Sequence, residues 1–299
     1  MSSVIKIVIS MIIWGSVGVF VKNINLPSME IAFLRSVIAS LILLTYGLIL
    51  RSRNISGKNN NNKLKDKKTL LLLIFSGASL GINWALLFKS YSYTTLSIAT
   101  LSYNLAPIIV IVLSPLIIKE SFSKRKVLAV VGAMIGLFII LNQQSIKDTS
   151  VSNHLLGISY ALLAASLYAT MILLNKYIKN LTGYERTVVQ ISTAALVLLP
   201  FIIYRNNIHG VDFRSLIFIL IVGIVHTAIA YLLYFSAVDH VKAQNIALLS
   251  YIDPISAMFW GALIFKDNMT YIQILGGILI LFSTYFGNKE KVLKKFKGE

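Results

Sequence analysis

The sequence has no cysteine and few charged residues. Only 13% of its 299 residues are charged and 57% are hydrophobic, whereas a water-soluble domain carries about 25% charged and about 45–50% apolar residues. The lack of cysteine excludes disulfide frameworks, cysteine nucleophiles and thiolate-bound zinc or iron–sulfur clusters. The scarcity of charge argues against a soluble domain, so we expect a membrane protein.

Acidic residues are scarcer than basic ones, since 11 Asp and Glu stand against 28 Lys and Arg, for a formal charge of +17. A nucleic-acid-binding protein gathers its basic residues on one folded, soluble face. Here they lie in short segments between apolar runs, above all in 51–68 and 289–299. We therefore expect membrane lipid as a partner and no nucleic acid.

Enzyme motifs are also absent. The sequence contains no His-Glu-x-x-His, no P-loop and no Gly-x-Gly-x-x-Gly, so we predict no cofactor, no metal site and no ATP-driven engine. A lipid-modifying membrane enzyme is a remoter alternative, because it needs His, Asp or Glu clustered at one interface and the four histidines are scattered. A receptor or scaffold would normally carry a folded soluble domain, for which the loops are too short.

Ten apolar runs are long enough to cross a bilayer, which takes about 20 residues in a helix. Lipid offers no hydrogen-bond partners to an open backbone, and no run alternates with period two, so we predict ten helices. They are expected at 4–22, 28–50, 69–89, 96–117, 127–142, 155–175, 184–204, 214–236, 243–265 and 270–287.

Lys and Arg are concentrated on the side of the membrane that holds the N-terminus. Only a few fall on the other side: Lys22, Lys89, Lys147, Arg205, Arg214 and Lys266. Because cytoplasmic loops carry the excess of positive charge, we predict that both termini are cytoplasmic in a multi-pass protein of the cell (inner) membrane. A monomer and a homodimer are both compatible with the sequence.

The two halves of the chain match each other without gaps. One group of matches has an offset of 155 residues and another an offset of 147: Glu30 with Glu185, Arg35 with Gln190, Pro107 with Pro254, and Lys119-Glu120 with Lys266-Asp267. We predict a five-helix repeat at 1–142, an external linker at 143–154, a second five-helix repeat at 155–288 and a basic cytoplasmic tail at 289–299.

Five is an odd number of spans, so the second repeat must enter the membrane from the opposite side. The expected fold class is therefore an all-α integral membrane protein whose ten helices form two inverted five-helix repeats. Such repeats recur in secondary transporters, where they open a midplane site alternately to each side.

Several motifs carry a family resemblance. In the first half these are Trp14-Gly15, Arg35 and the fourth-span proline followed by Lys119-Glu120; in the second they are Tyr234-Phe235, Ala237, Pro254, and Gly276-Gly277 after the run from Thr270 to Gln273. In order and spacing the chain resembles the EamA-type transporters of the drug/metabolite transporter superfamily. That family usually has Glu where this chain has Asp253 and Asp267.

The resemblance implies a ten-helix bundle with a central cavity that exports amino acids or related metabolites. We accordingly expect a secondary active transporter that exports a small-molecule substrate by alternating access. Import or exchange of a nucleotide-like or cofactor-like metabolite is the alternative, because the family also contains importers. The sequence does not identify the substrate or the coupling ion.

Polar residues deep in a span are costly, from about 2.5 kcal/mol for a central charge, and so mark candidate sites. Asp253 lies mid-span beside Pro254, and Pro107 lies at the matching place. Paired prolines at these positions predict helix kinks at a midplane binding site. The alternative is that both prolines serve packing and Asp253 caps a freed amide.

Three residues are candidates for proton coupling: Asp253, Glu30 and His226. His226 lies at a depth similar to that of Asp253, although a lone histidine in an apolar helix is more often hydrogen-bonded packing. Glu30 and Arg35 are about 140° apart on an ideal helix, so we do not expect them to pair. For Glu185, helix capping is favoured.

The predicted substrate-binding residues combine aromatic walls with a few polar groups, as small-molecule pockets do. Arg35 suits a substrate carboxylate because its guanidinium is a planar fork; the equal alternative is that it pins helices through backbone carbonyls. The full set is Trp14, Arg35, Asn83, Trp84, Tyr103, Asn104, Tyr168, Tyr231 and Tyr251.

Two further groups of residues are expected to serve structure. Glu120 and Asp267 end their spans beside lysines, and we predict that they are salt-bridged anchors. Pairs of glycines predict close helix approach: Gly15 with Gly18, Gly77 with Gly81, and Gly132 with Gly136.

The topology can be tested with reporter fusions. We expect a reporter that is active only in the cytoplasm to be active when fused at either terminus or inserted in 51–68, and inactive within 143–154. Activity at only one terminus would contradict the even number of spans.

Overall fold

A computed structural model describes residues 1–52, 66–142, 153–179, 181–205, 211–266 and 270–288, and every regular element in these ranges is a helix. Most of the basic segment 51–68, most of the predicted linker, Asp267 and the tail 289–299 lie outside the described residues. The predicted all-α membrane class is confirmed, with ten helical segments long and apolar enough to cross a membrane.

The helices follow in chain order: α1 (Ser3–Val21), α2 (Ser28–Ser52), α3 (Lys67–Ser90), α4 (Leu96–Tyr103), α5 (Ala106–Ile117), α6 (Lys124–Asn142), α7 (His154–Tyr177), α8 (Gly183–Arg205), α9 (Phe213–Ile221), α10 (Ala230–Ala237), α11 (Ala243–Leu249), α12 (Ile252–Phe265) and α13 (Tyr271–Asn288). A π-helical segment, Val222–Ile229, joins α9 to α10, and a 3₁₀ turn, Val238–His240, follows α10. The fourth span consists of α4 and α5, the eighth of α9 to α10, and the ninth of α11 and α12.

The fourth and ninth spans are broken at matching places. The fourth breaks between Tyr103 and Ala106 and the ninth between Leu249 and Ile252. Each predicted kink proline lies in the first turn of the second helix, where its missing N–H costs nothing. The prolines therefore begin new helices at mid-span rather than bend continuous ones.

Both broken spans also end alike. Lys119 and Lys266, which match at the offset of 147 residues, are the two non-glycine residues with a positive φ in the described ranges, and both have φ of 56°. A side chain in this left-handed region is uncommon. Its recurrence at matched positions supports a common origin of the two halves.

The spans pack as two interleaved groups. The 3-4-6 bundle joins the third, fourth and sixth spans through contacts of α7 with α3, α4 and α5. The 1-8-9 bundle joins the first, eighth and ninth spans through contacts of α1 with α10, α12 and the π segment. The second span packs on the seventh and the fifth on the tenth. The first span corresponds to the sixth, the third to the eighth and the fourth to the ninth, five places apart in each case. Exchanging these counterparts converts the 3-4-6 bundle into the 1-8-9 bundle.

Hydrogen bonds identify which span ends lie together. At the end where α1 begins, here called the basic end, Lys6 Nζ donates to Ser236 Oγ (3.1 Å) and Arg186 pairs with Asp239 (2.7 Å). At the opposite end, the backbone N–H of Asn25 donates to Ser215 Oγ (2.9 Å). Successive spans are therefore connected alternately at the basic end and at the opposite end.

Several helices that start at these ends carry their own caps. The carboxylate of Asp66 accepts from Thr69 Oγ1 at 2.6 Å, and that of Asp212 accepts from Ser215 Oγ at 2.5 Å. These hydrogen bonds favour the ionised form and lower the pKa of both carboxyl groups. The residue at which each of these two helices begins is therefore set by the capping carboxylate that precedes it.

Glycine sets the closeness of several helix pairs. A Cβ built at Gly15 would lie 2.6 Å from the backbone oxygen of Asp253, and one at Gly77 would lie 2.6 Å from the backbone oxygen of Gln190. The predicted close approach is confirmed at Gly15, Gly77, Gly81, Gly132 and Gly136. It is wrong at Gly18, which is exposed and whose built Cβ has no atom of the described residues within 4 Å.

Gly15 and Gly18 form a matched pair for measurement, since both lie in α1. We expect Gly15→Ala to lower the free energy of unfolding by about 1–3 kcal/mol, the usual cost of overpacking. Gly18→Ala should be neutral or stabilising by up to about 1 kcal/mol through helix propensity. Thermal unfolding of purified protein in detergent measures both, and equal effects of the two substitutions would contradict the packing.

Candidate functional site

Charged and aromatic side chains from both bundles lie together at the level of the helix breaks, and the space that they share is here called the cleft. Five of the predicted site residues contribute side chains that are enclosed by the spans yet only half-buried: Trp14, Arg35, Tyr103, Tyr168 and Asp253. Partial exposure inside a bundle means that these groups face internal space. The structure therefore brings together residues from the first, second, fourth, sixth and ninth spans.

Arg35 supplies a cation to this cleft. Its guanidinium carbon lies 4.2 Å from the ring centre of Trp84, in cation–π geometry. It forms no ion pair with a described residue, and its Nε is buried without a hydrogen-bond partner among them. Glu30 and Arg35 form no ion pair with each other in the structure.

Asp253 supplies an anion. It lies in the first turn of α12, and its carboxylate receives no hydrogen bond and forms no ion pair within the described ranges. It lies within electrostatic range of three tyrosine hydroxyls of the cleft and of Tyr91 at the end of the third span. Asp253 therefore does not cap the break beside it.

Tyr231 lies near both charges. Its ring centre lies 4.7 Å from that of Trp14 and 6.2 Å from that of Trp84. It is within electrostatic range of both Arg35 and Asp253. The cation and the anion thus share one aromatic wall without contacting each other.

The opposite wall is built from the 3-4-6 bundle. Tyr103 and Tyr168 have ring centres 5.7 Å apart, and the Tyr103 hydroxyl accepts a hydrogen bond from Asn83 Nδ2 (3.3 Å). Asn83 is fully buried. It therefore orients Tyr103 from behind rather than lining the cleft.

Tyr251 and Asn104 connect the two helix breaks. The Tyr251 side chain is fully buried, and its hydroxyl donates to the backbone oxygen of Asn104 (2.9 Å). Asn104 Nδ2 in turn donates to Thr100 O (2.8 Å). These groups satisfy backbone acceptors where the helices are interrupted, and the Tyr251 hydroxyl is not free for a ligand.

His226 lies in the π segment and is buried. Its Nε2 is 2.9 Å from Ser16 Oγ, and its backbone oxygen accepts from the Trp14 indole N–H (2.9 Å). A π segment loosens the regular ladder and is frequent at functional sites. Here it holds Trp14 in place, and His226 bonds to the first span rather than to Asp253.

The two matched glutamates differ in their surroundings. Glu185 exchanges hydrogen bonds with Thr182, accepting from its backbone N–H (2.8 Å), so the predicted helix cap is confirmed. The corresponding position before Glu30 is Pro27, which has neither an N–H nor a hydroxyl group. Glu30 is fully buried, and both carboxylate oxygens have no partner in the described part of the chain.

The counterpart of Arg35 is fully satisfied. Gln190 Oε1 accepts from Ser76 Oγ (2.7 Å) and Asn175 Nδ2 (3.0 Å), and Gln190 Nε2 donates to Asn175 Oδ1 (2.8 Å). All three side chains are fully buried. At this position the second half has Gln190, which joins helices through hydrogen bonds. The first half has Arg35, which forms no ion pair with a described residue.

Within the described ranges Glu120 caps a helix and forms no ion pair, whereas a salt-bridged anchor was predicted. Its carboxylate accepts the backbone N–H groups of Ala243 (2.7 Å) and Gln244 (3.3 Å), which are unsatisfied donors at the start of α11. The residue that begins this helix, Lys242, gives no side-chain cap. A carboxylate at a helix N-terminus is favoured by the helix dipole, so Glu120 caps a helix of the other half.

Sequence patterns did not indicate several residues that support the site. Ser16, Tyr91 and the π segment leave no periodic signal. The pair Arg186–Asp239 joins residues that are 53 positions apart. Of the supporting residues, Glu120 was marked by a sequence pattern, namely a carboxylate next to a lysine.

A shallow hollow of about 680 Å³ also lies on the outer face of the third span. Apolar side chains such as Leu71 and Phe75 line it, with Lys68 at one end. None of the cleft residues lines this hollow, and Lys68 is its one charged lining residue, so we do not place the substrate site there.

Comparison with known proteins agrees with this architecture. A solved crystal structure superposes with a TM-score of 0.79, covering 96% of this chain and 97% of the other at 14% identity, which shows the fold alone. An uncharacterized transporter, YxxF, of Bacillus subtilis (strain 168) is 32% identical over 281 residues, or 93% of this chain and 87% of that protein.

More distant relatives are also transporters by name. An uncharacterized transporter of Archaeoglobus fulgidus is 26% identical, covering 92% of each chain. The pseudopaline exporter CntI of Pseudomonas aeruginosa is 22% identical, covering 94% of this chain and 93% of its own. Residues 1–142 and 155–288 match the EamA-like transporter family. The chain therefore belongs to the EamA-like transporter family, as a multi-pass membrane protein that transports a small molecule and is not an enzyme.

Proposed function

We propose that this transporter exports amino acids or related small zwitterionic metabolites by alternating access. It would do so across the cell (inner) membrane with both termini cytoplasmic. The observation that carries the proposal is the pair of unpaired charges, Arg35 and Asp253, which face one aromatic-walled cleft.

Unpaired charges at membrane depth are costly and are retained at functional sites. Two opposite charges in one cleft would lower that cost by contacting each other, yet Arg35 and Asp253 form no ion pair in the described part of the chain, and Tyr231 is within electrostatic range of both. A zwitterion supplies a carboxylate for the guanidinium fork and an ammonium group for the aspartate. Trp14, Trp84 and Tyr103 then provide apolar contact for the rest of the molecule.

The direction of transport is proposed from two observations. A relative that covers nearly the whole chain is named as an exporter of pseudopaline. The basic segments are on the side of the N-terminus, which the distribution of positive charge assigns to the cytoplasm. Substrate would enter from that side and leave on the other.

Alternating access is proposed from the two bundles. Exchanging spans five places apart converts the 3-4-6 bundle into the 1-8-9 bundle, as two inverted repeats at 1–142 and 155–288 would require. The broken fourth and ninth spans meet at the cleft. Rocking one bundle against the other around these breaks would expose the same site to each side in turn.

Proton coupling is proposed to use Asp253, with Glu30 as a second buried carboxylate without a partner. Protonation of Asp253 and binding of a substrate ammonium group would exclude each other, since both neutralise the same charge. Because Asp253 would bind either a proton or the substrate, movement of a proton into the cell would be exchanged for movement of a substrate molecule out of it. His226 is assigned to positioning, because its ring bonds Ser16.

Substrate binding can be measured by tryptophan fluorescence, since the chain has three tryptophans and two of them, Trp14 and Trp84, lie at the cleft. We expect a member of an amino-acid panel to change the emission of purified protein. Arg35→Gln should weaken this binding by about 2 kcal/mol or more, or about thirtyfold, because the substrate carboxylate loses a charge partner.

The controls are Trp260→Phe and Arg214→Gln, because Trp260 packs on Phe259 and Arg214 contacts Asn23 and Phe218, none of which is a predicted site residue. Both should retain the emission change and the affinity. A response that disappears in Trp260→Phe and survives in Trp14→Phe and Trp84→Phe would contradict this location of the site.

Coupling can be measured in liposomes with an imposed pH gradient. We expect Asp253→Asn to abolish the dependence of substrate flux on the gradient, because the amide cannot exchange a proton. Exchange of labelled for unlabelled substrate should persist at a reduced rate. Asp66→Asn serves as the control with the same loss of charge, and gradient-driven flux that persists in Asp253→Asn would remove Asp253 from the coupling.

A further inference from the structure

Among the described residues, polar side chains join the ends of the two bundles at the basic end and not at the opposite end, while the Tyr251–Asn104 hydrogen bond joins the bundles at mid-depth. The contacts between the fourth and ninth spans illustrate this. At the basic end α5 packs against α11, whereas at the opposite end α4 packs on α6 and α7 while α12 packs on α1. The two broken spans thus converge toward the basic end.

Glu120 and Gln244 form the first set of bonds across this junction. The Glu120 carboxylate of the fourth span caps α11 of the ninth span. Gln244, which is almost fully buried, donates from Nε2 to Ser114 Oγ (2.8 Å) and to Ser121 O (3.1 Å). The side chain and the backbone of Gln244 are therefore both bound to the fourth span.

Lys176 and Asp239 form the second set. Lys176 Nζ, at the end of the sixth span, donates to the backbone oxygens of Val238 (2.9 Å) and Asp239 (3.3 Å) at the end of the eighth span. Arg186 donates to Ile178 O (2.7 Å) and to both Asp239 carboxylate oxygens (2.7 and 2.9 Å). The sixth and eighth spans, which belong to different bundles, are thereby joined.

Polar contacts at the opposite end join spans of the same bundle. Arg214 donates to Asn23 Oδ1 (2.6 Å), between the eighth and first spans. Thr94 Oγ1 is 3.0 Å from His154 Nδ1, between the third and sixth. Lys22 lies over the ring of Phe265, between the first and ninth. Each bundle is closed on itself here.

The matched positions at the opposite end cannot form the same ion pair. At the offsets of 155 and 147 residues, Arg186 corresponds to Ile31 and Asp239 to Ser92. Ile31 is packed among apolar side chains. Symmetric repeats would give the two closed states similar free energies, so an ion pair that has no counterpart at the matched positions biases the equilibrium toward closure of its own end.

We propose that Glu120, Lys176 and Asp239 form a latch that holds the basic end closed, so that the resting transporter opens its site to the opposite face. The latch rests on the alternating access proposed above, and it adds which side is closed and which residues close it. Opening the basic end would require α11 to lose its cap and Asp239 to leave Lys176 and Arg186.

The absence of native cysteine allows a direct test by single-cysteine labelling. Ala247→Cys places a thiol in the buried basic half of the ninth span, and Thr100→Cys places one in the other half of the fourth span. In Asp239→Asn or Glu120→Gln backgrounds, we expect the rate of maleimide labelling to rise about tenfold at position 247. It should fall at position 100, because loss of a charge-assisted hydrogen bond shifts the population.

Asp212→Asn is the matched control, because it removes the same charge from a helix cap inside one bundle at the opposite end. It should change neither labelling rate. Unchanged labelling in both latch variants, or a rise at both positions together, would overturn the latch, since general loosening gives no reciprocal change. The assay needs no substrate, so its failure leaves the proposed transport activity unaffected and a missing substrate leaves the assay valid.

Discussion

The lack of hydrogen-bond partners in lipid is the constraint on which the rest of the structure depends. Backbone groups in a bilayer must be satisfied within the protein, and a helix can be interrupted only where protein or an internal cavity replaces the lost bonds. The fourth and ninth spans are interrupted at mid-depth, and the Tyr251 hydroxyl satisfies the backbone oxygen of Asn104 there. The breaks therefore mark the interior surface on which a polar cleft can form.

The protein treats its buried charges in two ways. Arg186 is fully buried and donates to Asn175 O, Ile178 O and Asp239, so its desolvation is offset by several bonds. Arg35 lies over the Trp84 ring and forms no ion pair with a described residue. The first arrangement stabilises a contact between span ends, and the second is the one on which the proposed substrate site depends.

The two halves keep a common framework and differ at particular residues. Gln190 is bound within a buried network, whereas Arg35 at the matching position faces the cleft. Thr182 caps its helix together with Glu185, whereas Pro27 leaves Glu30 unsatisfied. The matched spans thus pack alike in the two halves, and the halves differ in the polar contacts that these matched residues make.

Composition and run length suffice to predict the all-α membrane class and its ten spans, because the bilayer permits few other solutions. The charges Arg35 and Asp253 also stand out in the sequence, since polar groups inside apolar runs are costly. The tertiary structure alone shows that Tyr251 is buried, that His226 meets Ser16 and that Glu120 caps α11. Those contacts join segments far apart in the chain, and their geometry depends on how helices pack rather than on any local pattern.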